Sequence, residues 1–160
     1  MLIQFKAMLV SLFLTMGGGD LPIVNMDNLD NMNNIACLSQ AVYGEAGNQS
    51  FEGKIAVAHV IINRTRDLKF PDSICKVVRQ KSQFNYIASI KYIKESNKGE
   101  NKQLLDSVEA SLRAFNGEIS DPTFGSLYFI NPKIATATGW LRPLRKTASI
   151  GDHTFYKHRI

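Results

Sequence analysis

The sequence predicts a mainly helical α+β domain built around one buried helix, with a small β element near its carboxyl end. Residues 55–62 are almost entirely apolar, residues 100–115 carry an amphipathic pattern, and short β-type segments follow residue 122. A helix that is apolar on every side belongs inside a core, whereas an amphipathic helix covers it. The 160 residues, 44% of them hydrophobic, are enough for one such domain.

The first 33 residues resemble a leader and a linker more than part of the domain. Residues 1–19 contain an early cation, Lys6, then an apolar stretch that ends in three glycines. An apolar run of this length is typical of a signal peptide and is short for a membrane span of about 20 residues. We therefore expect a signal peptide or signal-anchor at residues 1–19, with an ordinary core helix as the alternative. Residues 20–33, rich in Asn and Asp, are expected to form a linker.

The domain, predicted at residues 34–160, begins with two helices that flank a glycine-containing break. Apolar residues recur at helical spacing from Ile35 to Val42, and Asn34 is placed to cap this helix. The pattern breaks at residues 44–47, Gly-Glu-Ala-Gly. Ser50 is then a good amino-terminal cap for the buried helix.

The remaining elements follow from the same kinds of pattern. In chain order, we expect helices at residues 73–80, 84–94 and 100–115 and strands at residues 127–130 and 154–156. Gly117 follows the amphipathic helix and can adopt the left-handed conformation of a carboxyl-terminal cap. Asn131-Pro132 ends the first strand because proline lacks a backbone donor.

Charge narrows the class of partner. The net charge of +5 indicates an anionic partner, which could be nucleic acid, a membrane surface or a bacterial cell wall. The basic residues form no run of five or six, so we expect no nucleic-acid partner. The histidines, His59, His153 and His158, are spread along the chain, and we expect no metal and no organic cofactor.

Glu45 is the leading candidate for chemistry, because it stands where the first helix pattern breaks. A general acid needs a raised pKa, and partial burial against apolar groups raises the pKa of a carboxyl. The alternative is an ordinary solvated glutamate at a helix end. Glu52 and Arg64 have simpler explanations. Glu52 lies at the amino end of the buried helix and Arg64 at its carboxyl end, where the helix dipole favours an acidic and a basic residue respectively. No obvious second carboxylate of the kind used by glycoside hydrolases accompanies Glu45.

Two other features bear on function. Amides and aromatic rings occur together at residues 83–86 and 128–131, and polar and aromatic groups alternate at residues 153–156. Such mixtures suit sugar rings, because flat apolar faces stack and amides donate and accept hydrogen bonds. Turns or strands with core aromatics are the alternative. The spacing of Cys37 and Cys75 fits no zinc pattern, which leaves either a disulfide in an exported protein or two small buried apolar side chains.

Seven sequence blocks together resemble the SleB/CwlJ-type cell-wall hydrolase family. They occur in family order between residues 36 and 157. They are AVYGEA at 41–46, FEGKIAVA at 51–58, VIINR at 60–64, FPDSIC at 70–75, QF at 83–84, GSLYFINP at 125–132 and IGDHTFY at 150–156. The resemblance implies a lysozyme-like fold with Glu45 at the position of the catalytic glutamate. It also makes a pairing of Cys37 with Cys75 plausible.

The resemblance further implies a lytic transglycosylase that cleaves the β-1,4 bond between N-acetylmuramic acid and N-acetylglucosamine in peptidoglycan. One glutamate would protonate the glycosidic oxygen and then, as a carboxylate, help the 6-hydroxyl attack, so that a second carboxylate is not needed. The residues expected to line the glycan groove are Tyr43, Gln83, Phe84, Tyr128, Asn131, His153 and Phe155.

Three alternatives stay open: a hydrolytic muramidase, a peptidoglycan-binding structural module without turnover, and a basic nucleic-acid binder. The expected partner is the glycan strand of peptidoglycan, and the expected state is a monomer. The expected location is outside the cytoplasm, in the periplasm, cell wall or medium. A weak membrane tether through residues 1–19, or association with a virion, is compatible with that location.

Overall fold

A computed structural model describes residues 29–80 and 98–159 of the chain. The predicted leader, the predicted helix at residues 84–94, and Gln83 and Phe84 lie outside these residues. The described elements are α1 (Leu29–Ala46), α2 (Phe51–Arg64), α3 (Ile74–Val78), α4 (Lys98–Phe115), β1 (Tyr128–Ile130), a 3₁₀-helix (Gly139–Leu141), β2 (Leu144–Ile150) and β3 (His153–His158). The predicted mixture of helices and a small carboxyl-terminal β element is therefore present.

Helix α1 is longer at both ends than the sequence pattern predicts. It begins at Leu29, so Asn34 lies inside the helix and does not cap it, and the last five residues of the predicted linker are helical. Asp30 lies in the first turn, where a negative charge favours helix formation. Packing of α1 against α4 supplies the stability that helix propensity alone does not. At the other end, the helix continues through Gly44 to Ala46, which places Glu45 in its last turn.

Helix α2 is the central buried helix, as predicted. The side chain of Ser50 caps it by accepting a hydrogen bond from the backbone N–H of Gly53, at 3.3 Å. Its residues from Gly53 to Ile62 are buried, and it contacts the three other helices and the sheet. His59 is a core histidine whose Nε2 lies 3.0 Å from the carbonyl oxygen of Ile119.

Helix α4 ends at the predicted glycine. Gly117 has a φ of 72°, which an L-residue with a side chain rarely adopts. The N–H of Gly117 donates to the carbonyl of Ala114, and the N–H of Glu118 donates to that of Arg113. These two bonds form a Schellman motif, which satisfies carbonyls that the helix end would leave without partners.

The sheet is antiparallel with the strand order β1-β3-β2. Phe129 pairs with Phe155 and Tyr128 with Tyr156, so alternation puts Phe129 and Phe155 on one face and Tyr128 on the other. The phenylalanine face packs on α2, where Phe155 forms a buried cluster with Ala56 and Val60.

Strand β2 was missing from the prediction. Its sequence, LRKTASI, is exposed or half-buried at every residue except Leu144, with Arg145 and Lys146 open to solvent. It is an edge strand, and edge strands carry charges that protect them from pairing with other chains. Such a strand lacks the apolar alternation by which strands are recognised.

A disulfide between Cys37 and Cys75 joins α1 to α3. The two cysteines are 38 residues apart in the sequence, and Cys37 lies in the main core cluster. Within the described ranges, 29–80 and 98–159, no helix has the length and apolar character to cross a membrane.

Candidate active site

The candidate site is centred on Glu45, in the last turn of α1. Just after this turn the backbone of Gly47 lies close to that of Tyr43, and the N–H of Gly47 donates to the carbonyl of Tyr43 at 2.9 Å. A Cβ at position 47 would lie 2.5 Å from that carbonyl oxygen, so only glycine fits there without a shift of the backbone. Burial raises the pKa of Glu45 from 4.5 to about 7, although the positive charge of Arg64 acts in the opposite direction. Near neutral pH, Glu45 can therefore both hold and release a proton.

Arg64 is the charged partner of Glu45, and it comes from the last turn of the central helix. It is 5% exposed, and its Nε donates a hydrogen bond to the carbonyl of Leu127 at 2.8 Å. Burial lowers the pKa of Arg64 to about 10, against the opposing effects of Tyr128 and Glu45, so it keeps its charge at neutral pH. A fixed buried cation beside Glu45 stabilises the carboxylate that forms when Glu45 gives up its proton.

Two aromatic rings lie close to the Arg64 guanidinium. Its Cζ lies 5.1 Å from the ring centroid of Phe70 and 6.0 Å from that of Tyr128. Tyr128 in turn makes ring contacts with His158 at 5.4 Å and with Trp140 at 6.0 Å between centroids. The charge of Arg64, the carboxyl of Glu45 and the aromatic rings near Arg64 therefore lie in one part of the molecule.

A second cluster of polar side chains holds the loop between α1 and α2 to the sheet. The side chain of Gln49 accepts from the N–H of Asp152 at 3.0 Å and donates to its carboxylate at 3.1 Å. The ammonium group of Lys133 binds the same carboxylate at 2.6 Å. Hydrogen bonds from Lys133 and Gln49 hold the pKa of Asp152 below its usual value. Asp152 is therefore an ionised, structurally engaged carboxylate and is not a second proton donor.

Asp121 is the other carboxylate with several partners. It accepts hydrogen bonds from the side chains of Asn63 and Thr123 and from the backbone N–H groups of Thr123 and Gly125. Burial alone would raise the pKa of Asp121, but these hydrogen bonds hold it below the usual value. Its role is to fasten the loop before β1 to the central helix.

The structure separates the predicted groove residues. Tyr128 lies in the aromatic group beside Arg64, and Tyr43 is partly buried against the α1–α4 cluster. Asn131 is half-buried, and its side-chain oxygen accepts from the N–H of Lys133 at 3.0 Å, as in a turn. Gln83 and Phe84 fall outside the described residues.

Two predicted groove residues belong to the core. Phe155 is fully buried between the sheet and α2, which leaves no surface for a sugar ring, so we remove it from the groove. His153 is 6% exposed, and its ring contacts those of Phe129 and Phe155. Burial lowers the pKa of His153, with Asp152 opposing, and its Nδ1 has no hydrogen-bond partner among the described residues.

Sequence reasoning missed several residues that the structure brings to the site: Arg64, Phe70, Trp140 and His158. Arg64 and Phe70 lie in two of the sequence blocks, but the helix dipole was a sufficient explanation for Arg64 and no pattern singled out Phe70. Only the packing shows that Arg64 is buried. In the part of the chain that the structure describes, no three His, Cys, Asp or Glu side chains come together as metal ligands would.

Comparison with known proteins identifies the family. The sequence model described as Cell Wall Hydrolase matches residues 48–156. The chain belongs to this cell wall hydrolase family. The SleB/CwlJ-type resemblance is thereby confirmed. Glu45 lies three residues before the matched range, so its role depends on the local structure.

Solved relatives support the fold. The catalytic domain of the germination-specific lytic transglycosylase SleB from Bacillus anthracis superposes with a TM-score of 0.61 and 31% identity, over 84% of this chain and 100% of that one. The catalytic domain of Bacillus cereus SleB gives a TM-score of 0.59 and 32% identity, over 88% of this chain and 100% of that one. These matches confirm the α+β fold of this cell wall hydrolase family member.

The curated relatives are longer proteins. The spore cortex-lytic enzyme of Oceanobacillus iheyensis is 34% identical over 139 residues, which is 87% of this chain and 47% of the relative. The enzyme of the same name from Bacillus subtilis is 35% identical over 137 residues, which is 85% of this chain and 41% of the relative. The chain thus spans about half the length of these relatives, or less.

The raised pKa of Glu45 predicts a pH-dependent effect on stability. Because the folded state holds this proton up to about pH 7 and the unfolded state only to about 4.5, stability falls as the pH rises between these values. Glu45→Gln removes this loss, so the variant should be about 3 kcal/mol more stable than the wild type at pH 8 and nearly equal to it at pH 4. Urea unfolding at both pH values measures the difference. An equal difference at pH 4 and pH 8 would contradict the assigned pKa.

Proposed function

We propose that this cell wall hydrolase cleaves the glycan strands of peptidoglycan as a lytic transglycosylase, with Glu45 as its only acid and base. The observation that carries the proposal is the half-buried Glu45 carboxyl, whose pKa lies near 7, next to the buried cation Arg64. The printed descriptions of the SleB relatives, as a lytic transglycosylase and as spore cortex-lytic enzymes, support the same activity.

In the first step, protonated Glu45 donates its proton to the oxygen of the β-1,4 bond between N-acetylmuramic acid and N-acetylglucosamine. The bond from the muramic acid C1 to this oxygen breaks, and positive charge develops at C1. Glu45 is now a carboxylate, which the Arg64 guanidinium stabilises through its charge. A pKa near 7 suits the donor, because general acids work best when their pKa is close to the working pH.

In the second step, the Glu45 carboxylate takes the proton of the muramic acid 6-hydroxyl while that oxygen bonds to C1. The product is a 1,6-anhydro sugar, Glu45 regains its proton, and no water is consumed. A single carboxyl suffices for this cycle, whereas a hydrolase normally needs a second one to act as a nucleophile or to activate water. Asp121 and Asp152 are both committed to structural contacts, which supports the one-carboxyl cycle over hydrolysis.

Mass spectrometry of the fragments released from purified peptidoglycan tests this proposal. The expected fragments end in 1,6-anhydro-muramic acid and are one water lighter than hydrolytic products. Reducing muramic acid ends would instead establish a hydrolytic muramidase. Release of no glycan fragments would leave the binding-module alternative in place.

We also propose that the protein works outside the cytoplasm. The disulfide between Cys37 and Cys75 supports this location, since the cytosol keeps most thiols reduced. The net charge of +5 favours retention on an anionic wall. The leader at residues 1–19, a membrane tether, association with a virion and the monomeric state stay predictions.

A further inference from the structure

Trp140, the only tryptophan of the sequence, has a fixed but exposed ring. It lies on the 3₁₀-helix between β1 and β2, and its indole N–H donates to the carbonyl of Ala137 at 3.0 Å. The backbone turn is held by a bond from the N–H of Leu141 to the carbonyl of Thr138. Although its polar atom is satisfied within the protein, Trp140 keeps 46% of its surface exposed. The ring is thus oriented by the fold while its apolar surface stays available.

Trp140 continues the aromatic group that lies beside Arg64. Its ring meets that of Tyr128 edge-on at 6.0 Å, and the Tyr128 ring lies 6.0 Å from the Arg64 guanidinium. The indole is therefore no more than about 12 Å from the cation that acts on Glu45. A short oligosaccharide can span this distance.

Within residues 29–80 and 98–159, the other large apolar side chains that are strongly exposed have no ring contact with Tyr128. Leu68, Phe124 and Ile134 are more exposed than Trp140, and single exposed apolar side chains need no functional explanation. Trp140 differs because it packs against a tyrosine that also contacts the charged centre of the site. Aromatic side chains with a few placed polar groups are what ligand-binding surfaces usually present.

We propose that Trp140 binds the glycan strand by packing its indole face against one N-acetylated sugar ring, beside the sugar whose glycosidic bond Glu45 protonates. A pyranose presents a face of C–H groups that matches a flat apolar ring, and Tyr128 fixes the position of the indole through an edge contact. Because the indole N–H is already bonded to Ala137, the contact recognises the face of the ring and places the strand along the site. This inference rests on the proposed function and deepens it.

The single tryptophan makes its own fluorescence the direct test. Glu45→Gln protein is titrated with soluble peptidoglycan glycan strands freed of stem peptides, and calorimetry measures binding independently. We expect the tryptophan emission to shift and acrylamide quenching to decrease as the strands bind. Binding by calorimetry with unchanged emission and unchanged quenching would refute the role of Trp140 and leave the proposed function intact.

A variant series in the Glu45→Gln background supplies the second measurement. We expect Trp140→Ala to weaken strand binding about tenfold, as loss of a stacking ring typically does, and Trp140→Phe to restore most of the affinity. Phe124→Ala is the matched control, since it removes an exposed aromatic ring whose backbone carbonyl is held by Lys157. Far-ultraviolet circular dichroism checks that each variant folds.

The outcomes separate the two proposals. Equal affinity of the Trp140→Ala variant and its parent would overturn the inference alone, as would an equal loss in the Phe124→Ala control. If the wild-type protein neither binds nor cleaves the strands, the proposed function fails and the inference fails with it.

Discussion

Replacing Glu45 by glutamine should reduce the rate of peptidoglycan cleavage by about 10²- to 10⁴-fold, the usual contribution of general acid–base catalysis. Glutamine has nearly the same shape but can neither donate the proton in the first step nor accept it in the second. The measurement is the rate of fragment release from purified peptidoglycan at pH 6 to 7, with binding to intact walls followed by co-sedimentation. We expect binding to survive.

Glu52→Gln is the matched control for this experiment. Glu52 is an exposed carboxylate in the first turn of α2, seven residues from Glu45, and its position is explained by the helix dipole. Its variant should cleave walls at the wild-type rate. Undiminished cleavage by the Glu45→Gln protein would contradict the assigned role, and a loss of binding together with cleavage would point to damage of the fold.

The rate at which the wild-type protein cleaves peptidoglycan should also fall as the pH rises. Because burial raises the pKa of Glu45 to about 7, the fraction of enzyme with a protonated donor falls as the pH rises above this value. Cleavage should therefore decline between pH 7 and pH 9. A rate that stays constant up to pH 9 would indicate a different acid.

Loss of the Cys37–Cys75 disulfide is the change with the largest expected effect on stability. Closing a loop of 38 residues lowers the entropy of the unfolded chain, which in the chain-entropy model corresponds to about 4 kcal/mol at 25 °C. The double variant Cys37→Ala/Cys75→Ala should therefore lose about 2 to 4 kcal/mol of unfolding free energy in urea. Alanine is suitable because Cys37 lies in the apolar core, where a hydroxyl would add an unsatisfied polar group.

A reducing agent provides the control for the disulfide. Dithiothreitol should destabilise the wild-type protein by a similar amount and leave the double variant unchanged. If the wild type is equally stable with and without the reductant, the two cysteines are not paired in the purified protein. The same result would remove one support for a location outside the cytoplasm.

Sequence reasoning succeeded where local interactions decide the structure. Ser50 and Gly117 were identified as helix caps because a cap depends on a few neighbouring residues, and α2 was identified as central because its apolar run has no polar face. It failed for the start of α1, where packing against α4 extends the helix through asparagines, and for the charged edge strand β2.

The candidate site shows the same division. Glu45 could be named from its place at the break in the helix pattern and from the sequence blocks, and the structure then placed it beside a buried cation. The partners of Glu45 could not be named. The sequence explained Arg64 as a basic residue at a helix end, yet folding buries it against Tyr128 and Phe70, which follow it by 64 and 6 residues.

The sequence by itself determined the fold class, the central helix, the family blocks and the candidate carboxyl, Glu45, because these depend on residue type and short-range spacing. Only the tertiary structure decided which side of the sheet is buried, and so removed Phe155 from the groove and added Trp140 to the surface beside Tyr128. The physical reason is that the burial of a side chain depends on contacts between segments far apart in the chain, and strand periodicity alone leaves both faces of a sheet equally eligible.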